Sequence, residues 1–180
     1  SDAFPKGTTT VSWLATDIHG NTATATQHVT VNDTENPTVS APAALNLTTG
    51  TSANQCGLLV SDASLGTPTA HDNCGVAVER TGVPAGNFFP VGTTTITYTA
   101  TDPSGNTAVA TQTVTVADDT APTITVANLS LATDHGVCTA AVSALGVTAG
   151  DNCGIQTLVG TRSDGAALTD AFPKGTTTVT

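Results

Sequence analysis

The sequence predicts an all-β fold. Three observations carry that expectation: apolar residues alternating with Thr in short runs, a domain-sized internal repeat, and no window with helical periodicity. In 95–101, Ile96, Tyr98 and Ala100 alternate strictly with Thr, the two-residue period of a half-buried strand. After the turn Asp102-Pro103-Ser104-Gly105-Asn106, a second run sets Ala108, Ala110, Val114 and Val116 on one side and Thr111, Thr113 and Thr115 on the other. Two such runs across a Pro/Ser/Gly/Asn turn make a β-hairpin. Val11, Trp13 and Ala15 hold the corresponding places in an earlier copy, so Trp13 and Tyr98 are both expected in the core register. A disordered Thr-rich stalk would not keep this alternation through two copies.

The repeat sets the domain organisation. The stretch beginning FPKGTTTVSW at Phe4 returns as FPVGTTTITY at Phe89, an offset of 85, and FPKGTTTV starts again at Phe172. Asp72-Asn73-Cys74-Gly75 recurs as Asp151-Asn152-Cys153-Gly154. A unit of 80 to 85 residues is domain-sized. The chain therefore divides into the end of one unit (1–36), a complete unit (37–120) and the start of the next (121–180). Asp2–Val11 returns unchanged at Asp170–Val179, an offset of 168, whereas the middle copy differs; this is the register of two units alternating. Residues 1–36 and 121–180 would each leave a face unburied and strand edges unpaired. A longer covalent array, or completion of one subunit by the next as in donor-strand exchange, would satisfy them, and the first is favoured.

Composition excludes several classes. The 180 residues carry 14 Asp+Glu against 4 Lys+Arg, a net charge of -10, which disfavours nucleic acid and anionic membranes as partners. Charged residues are only 10% of the chain, too few for an acidic disordered tail. No apolar run approaches a membrane span. Aromatics are 3%, so the core must come from Val, Ile, Leu and Ala. Four Cys, abundant Thr and few Lys suggest export to an oxidising compartment. There is no initiator Met and no signal-peptide pattern, so any leader is expected outside these residues.

Residues 89–106, preceded by Asp72-Asn73-Cys74-Gly75, resemble the HYR (hyalin repeat) family. The resemblance extends over essentially the whole chain. It implies tandem immunoglobulin-like β-sandwich repeats, one complete and two partial, of the kind found in extracellular and often adhesive multidomain proteins. One departure matters: where some HYR units carry a late Cys, this chain has Ala25 and Ala110. Disulfides must then use the two remaining Cys of each unit, and the expected pairs are Cys56–Cys74 and Cys138–Cys153. Bridges over such short loops stabilise by about 3 kcal/mol. Zinc is the weaker alternative. His71-x-x-Cys74 and His135-x-x-Cys138 have ligand-like spacing, but the Cys are not equivalent and no fourth ligand of the usual kind appears.

The acidic residues form the one cluster with binding chemistry. Asp33 and Glu35 lie in the first inter-unit linker and Asp118 and Asp119 in the second; these are the calcium candidates, because domain junctions can supply the six to eight oxygens Ca²⁺ needs. The plainer reading is favoured: Asp closes turns with its own backbone, as also for Asp17 and Asp102, and each linker has only two acids. Asn32, Asn46 and Asn128 begin N-x-[ST] glycosylation triplets, frequent by chance in a Thr-rich chain. The His residues form no recognisable catalytic order with Ser or Cys, and no phosphate loop occurs, so no enzyme is expected. Two functions remain. The favoured one is an extracellular stalk or fibre whose partners are neighbouring copies of the repeat. The alternative is a surface adhesin binding carbohydrate or protein through its loops, for which Arg80, Arg162, Phe88 and Phe89 are all the chain offers.

Overall fold

A computed structural model describes residues 3–50 and 55–180, and strands dominate it. In chain order they are β1 (Gly7–Thr16), β2 (Thr22–Val31), β3 (Thr38–Ser40), β4 (Leu45–Thr48), β5 (Gly57–Leu59), β6 (Thr69–His71) and β7 (Ala77–Thr81). There follow β8 (Phe88–Pro90), β9 (Gly92–Thr101), β10 (Thr107–Ala117), β11 (Thr123–Thr125), β12 (Thr139–Ala140), β13 (Thr148–Gly150) and β14 (Phe172–Pro173). A single helical turn, α1 (Asp62–Leu65), and a 3-10 turn at Ala85–Asn87 interrupt them. The all-β expectation holds, and the longest strands lie where the alternation is strictest. The largest sheet has the order β4-β10-β9-β7.

The chain forms two compact units. The first comprises Ser1–Leu45, Val60–Asn87 and Thr93–Thr115. Its core holds Leu65, Ile96, Tyr98, Ala100 and Val114, all fully buried, with Val60 nearly so. Strand β9 supplies three of these from alternate positions, as its Thr spacing requires. Gln112 also faces inward on β10, and every polar atom it brings is paired. Its Oε1 accepts from Tyr98 Oη at 2.8 Å. Its Nε2 donates to the carbonyls of Ala43 and Leu65 at 2.8 and 3.0 Å. Helix α1 delivers Leu65 to this core. Ser61 caps it by accepting from the Ser64 N–H at 3.2 Å, and Gly66 ends it at φ +79°. One turn is too short to register as a helical period in sequence.

Strands β1 and β2 form a ten-residue antiparallel hairpin in which Trp13 stands opposite Ala25. Trp13 Nε1 donates to Gln27 Oε1 at 3.1 Å, the counterpart of Tyr98 and Gln112. The expectation that Trp13 is a core residue is corrected: its exposure is 59%, against 0% for Tyr98. Tyr98 is buried in the same compact unit as Leu65 and Val60, which come from the first half of its own repeat. No such half covers β1 and β2 among the described residues.

The second unit comprises Asn46–Leu59, Phe88–Gly92 and Val116–Thr180. Phe89 and Val116 are its buried apolar anchors. Pairing of β5 with β8 sets Gly57 opposite Pro90 and Leu58 opposite Phe89. Pairing of β12 with β14 sets Thr139 opposite Pro173 and Ala140 opposite Phe172. The same register is thus built twice. Much of 121–180 stays open, with Ile124, Leu129, Leu131 and Leu158 at least half exposed.

Candidate functional site

The chemistry of the chain concentrates at its turns and linkers. Asp17 Oδ1 accepts from the N–H groups of His19 and Asn21, each at 2.8 Å, while Oδ2 accepts from Asn21 Nδ2 at 2.8 Å. Asp102 repeats this with Ser104, Asn106 and Asn106 Nδ2 at 2.8, 2.9 and 2.7 Å. The Asn21 side chain and backbone hold the Asp17 carboxyl below the ordinary carboxylate value. At Asp102 burial works to raise the pKa, but the combined bonds from Asn106 and Ser104 prevail and lower it. Both are turn-closing carboxylates.

The calcium candidates separate into two linkers. Asp33 Oδ2 accepts from Ser104 Oγ at 3.2 Å and from Lys6 Nζ at 3.5 Å. Glu35 accepts from Asn73 Nδ2 at 2.8 Å. In the second linker Asp118 Oδ1 accepts from Thr49 Oγ1, Asn152 Nδ2 and the Thr120 N–H at 3.0, 3.2 and 3.2 Å. Asp119 Oδ1 accepts from the Gly50 N–H at 3.0 Å. The Thr120 N–H leads the bonds that hold the Asp118 carboxyl low, followed by Asn152.

Sequence reasoning missed two participants, Asp72 and Asp151. Each opens an Asp-Asn-Cys-Gly turn and accepts the N–H of the Cys two residues on, at 2.7 and 2.8 Å. Their Oδ1 atoms are buried without a hydrogen-bond partner among the described residues. Oxygens of Asp33 and Asp72 and the Cys74 sulfur lie within 4.8 Å of one another. The carboxylates suit a hard cation and the thiol does not. Recurrence of the tetrapeptide was the signal for these residues, although it does not say what the Asp faces.

The cysteines require a correction. Cys56 is bonded to Cys153, with a Cα separation of 4.6 Å, and Cys74 and Cys138 are free. Neither expected pair, Cys56–Cys74 or Cys138–Cys153, is formed. The reason lies in the contacts of each segment. Thr49 and Gly50, shortly before Cys56, bond the linker by which the chain leaves the repeat, at Asp118 and Asp119. The turn holding Cys74 bonds the linker by which the chain arrives, through Asn73 and Glu35. Partial burial pushes the Cys74 thiol pKa up, and neighbouring Asp33 adds to the rise.

The candidate adhesive residues are largely committed to structure. Phe89 is fully buried, and Arg80 pairs with Asp62. Arg162, 6% exposed, bonds Asp164 at 2.6 Å and the carbonyls of Ala167 and Asp170 at 2.9 and 2.7 Å. It also lies 3.9 Å over the Phe172 ring. The glycosylation candidates Asn32, Asn46 and Asn128 are all exposed.

Comparison with known proteins agrees with this architecture. The HYR domain matches residues 32–116. Proteins named Hyalin from Strongylocentrotus purpuratus and Lytechinus variegatus are each 40% identical over 99% of this chain, which spans 15% and 33% of their lengths. The sushi, von Willebrand factor type A, EGF and pentraxin domain-containing protein 1 of Rattus norvegicus is 34% identical over 107 residues, 57% of this chain and 3% of that protein.

Proposed function

The chain belongs to the HYR domain family through residues 32–116, and we propose that it is a non-catalytic structural repeat of a stalk or fibre in which sandwiches follow one another end to end. Its setting is extracellular or the cell surface, in keeping with its family and with a disulfide that belongs to an oxidising compartment. No helix among the described residues is long and apolar enough to cross a membrane.

One observation carries the proposal. The β1–β2 hairpin presents to solvent the face whose counterpart on β9 and β10 is core: Trp13 is 59% exposed where Tyr98 is 0%. A preformed half-sandwich of this kind is completed by the first strands of the same repeat, and 121–180 are such strands. Commitment of Phe89, Arg80 and Arg162 to packing and pairing favours this reading over the adhesin. Small-angle scattering over a concentration series tests it with the Cys74→Ser/Cys138→Ser chain, where no cross-link can interfere. Particles lengthening with concentration are expected. A compact, monodisperse monomer with both ends folded would overturn it.

A second reading adds a divalent cation at the linkers, favoured by the unpartnered Oδ1 atoms of Asp72 and Asp151 at equivalent places. A calcium-dependent rise in melting temperature, lost in Asp72→Asn, is the expected sign. An unchanged melt in calcium and in chelator would leave these carboxylates as turn formers.

A further inference from the structure

The four cysteines fall into two kinds by their surroundings, and this assigns partners to the two that are free. Cys56 and Cys138 are the first kind. Both are exposed and directly precede a short strand, β5 or β12. The carbonyl of each is held by the residue after the Phe-Pro pair of its own repeat: the Val91 N–H bonds Cys56 at 3.3 Å, and the Lys174 N–H bonds Cys138 at 2.9 Å. Cys74 and Cys153 are the second kind. Both are half-buried, and each donates its N–H to the Asp two residues before it. In each turn the Asn donates to the linker preceding its own repeat, Asn73 to Glu35 at 2.8 Å and Asn152 to Asp118 at 3.2 Å.

The bond that is formed joins a first-kind Cys, Cys56 of repeat 37–120, to a second-kind Cys, Cys153 of the repeat that follows. Both belong to the second compact unit. The two cysteines left over are the second-kind Cys of the earlier repeat and the first-kind Cys of the later one. A rule of first kind to second kind of the next copy leaves those two unpaired in a chain that holds the four Cys in this order. Cys74, moreover, lies beside Asp33 of the linker that its neighbour Asn73 bonds, and Cys153 follows Asn152, which bonds Asp118 of the next linker.

Resting on the tandem-array reading, we infer that the disulfides run between consecutive repeats throughout the array: Cys74 receives a first-kind sulfur from the repeat before, Cys138 bonds a second-kind sulfur in the repeat after, and no repeat carries an internal bridge. When two chains join head to tail, the first strands in 121–180 of one and the last strands in 1–36 of the next make one composite repeat, with one of the two copies of DAFPKGTTTV displaced, so the bond falls between Cys138 of the first chain and Cys74 of the second. Each bond forms by thiol–disulfide exchange with a low-molecular-weight disulfide. Two protein S–H groups lose their hydrogens, the protein S–S forms, and the donor S–S is cleaved to two thiols.

The chain treated with excess oxidised glutathione and digested without reduction tests this. Cleavage before Asp places the four Cys in four peptides, 33–61, 72–101, 134–150 and 151–163. The expected links are 33–61 to 151–163, and 72–101 to 134–150 between chains. A ladder on a non-reducing gel should accompany the second link and vanish in Cys138→Ser, which keeps the first. Linkage of 33–61 to 72–101, or of 134–150 to 151–163, overturns the inference, as does oxidised chain in which 72–101 and 134–150 never join. The array reading fails separately. If the Cys74→Ser/Cys138→Ser chain lengthens with concentration while the wild type shows bonds within repeats, only the staple is wrong. If both chains stay compact monomers with both ends folded, both are wrong.

Discussion

Tyr98 donates its phenolic hydrogen to Gln112 Oε1 at 2.8 Å inside the core, and Gln112 in turn ties down the carbonyls of Ala43 and Leu65. One polar side chain thus connects β10 to the loop before β4 and to α1. Tyr98→Phe should cost about 1–3 kcal/mol in urea unfolding, because a buried acceptor is left without its donor. Gln112→Ala should cost more, since it strands the hydroxyl and both carbonyls together. A Tyr98→Phe change with no measurable effect would show that the bond is not maintained in solution.

Much of this was legible in the sequence. Strict Thr alternation marked β9 and β10 and put Ile96, Tyr98, Ala100, Val114 and Val116 on one side, where the structure buries them. The turn roles of Asp17 and Asp102 were legible because Asx chemistry is local. Gln112 was not, since polarity alone assigns Gln to the outside, and only its three partners make it a core residue. The cysteine pairing was not legible either. Two Cys per unit at similar places pointed to bridges within each repeat, whereas the actual bond spans 97 residues and depends on which linker each segment meets.

Gly82 and Gly86 offer a matched pair. Both have positive φ, +86° and +66°, which disfavours any side chain. A Cβ at Gly82 would also lie 2.5 Å from the Thr95 carbonyl oxygen, whereas at Gly86 it meets nothing within 4 Å. Gly82→Ala should therefore lower the thermal midpoint clearly more than Gly86→Ala, whose loss is limited to about 1–2 kcal/mol of backbone strain. Equal losses would mean that β9 yields freely at Thr95.

Removal of the one bridge present is the third prediction. Cys56→Ser should destabilise the second unit by about 2–5 kcal/mol in denaturant unfolding. Reductant should bring the wild type down to the variant and leave the variant unmoved. The unit holding β1 and β2 should not respond, since neither bonded Cys belongs to it.

Acid stability follows from the turn and linker carboxylates. Asp17, Asp102 and Asp118 are all held below the ordinary value. A lowered native pKa means that the unfolded chain binds protons first as pH falls. The stabilisation is complete above the unfolded value near about 3.9 and disappears as pH drops through the lower native values. Thermal melts should stay level from neutrality to the edge of that range and then decline. Asp102→Asn should lower the plateau and soften the decline. A loss of stability beginning near neutrality would point to other groups.

Trp13 is the only Trp in the chain and sits on the open face of β1 at 59% exposure, so its fluorescence reports on that face alone. Its counterpart Tyr98 is fully covered, which shows what a completed repeat does to this position. Gln27 already holds the indole N–H at 3.1 Å, so covering the ring would leave no polar atom stranded and would gain the full apolar burial of the indole. Dilute chain should emit as a solvated indole and be readily quenched by acrylamide. As chains associate, or when 121–180 is supplied as a separate polypeptide, the emission should move to shorter wavelength and quenching should fall several-fold. Gln27→Leu should weaken the response, because the indole N–H would then be buried without an acceptor. Association seen by scattering with Trp13 still fully quenchable would mean that the chains meet through some surface other than this one.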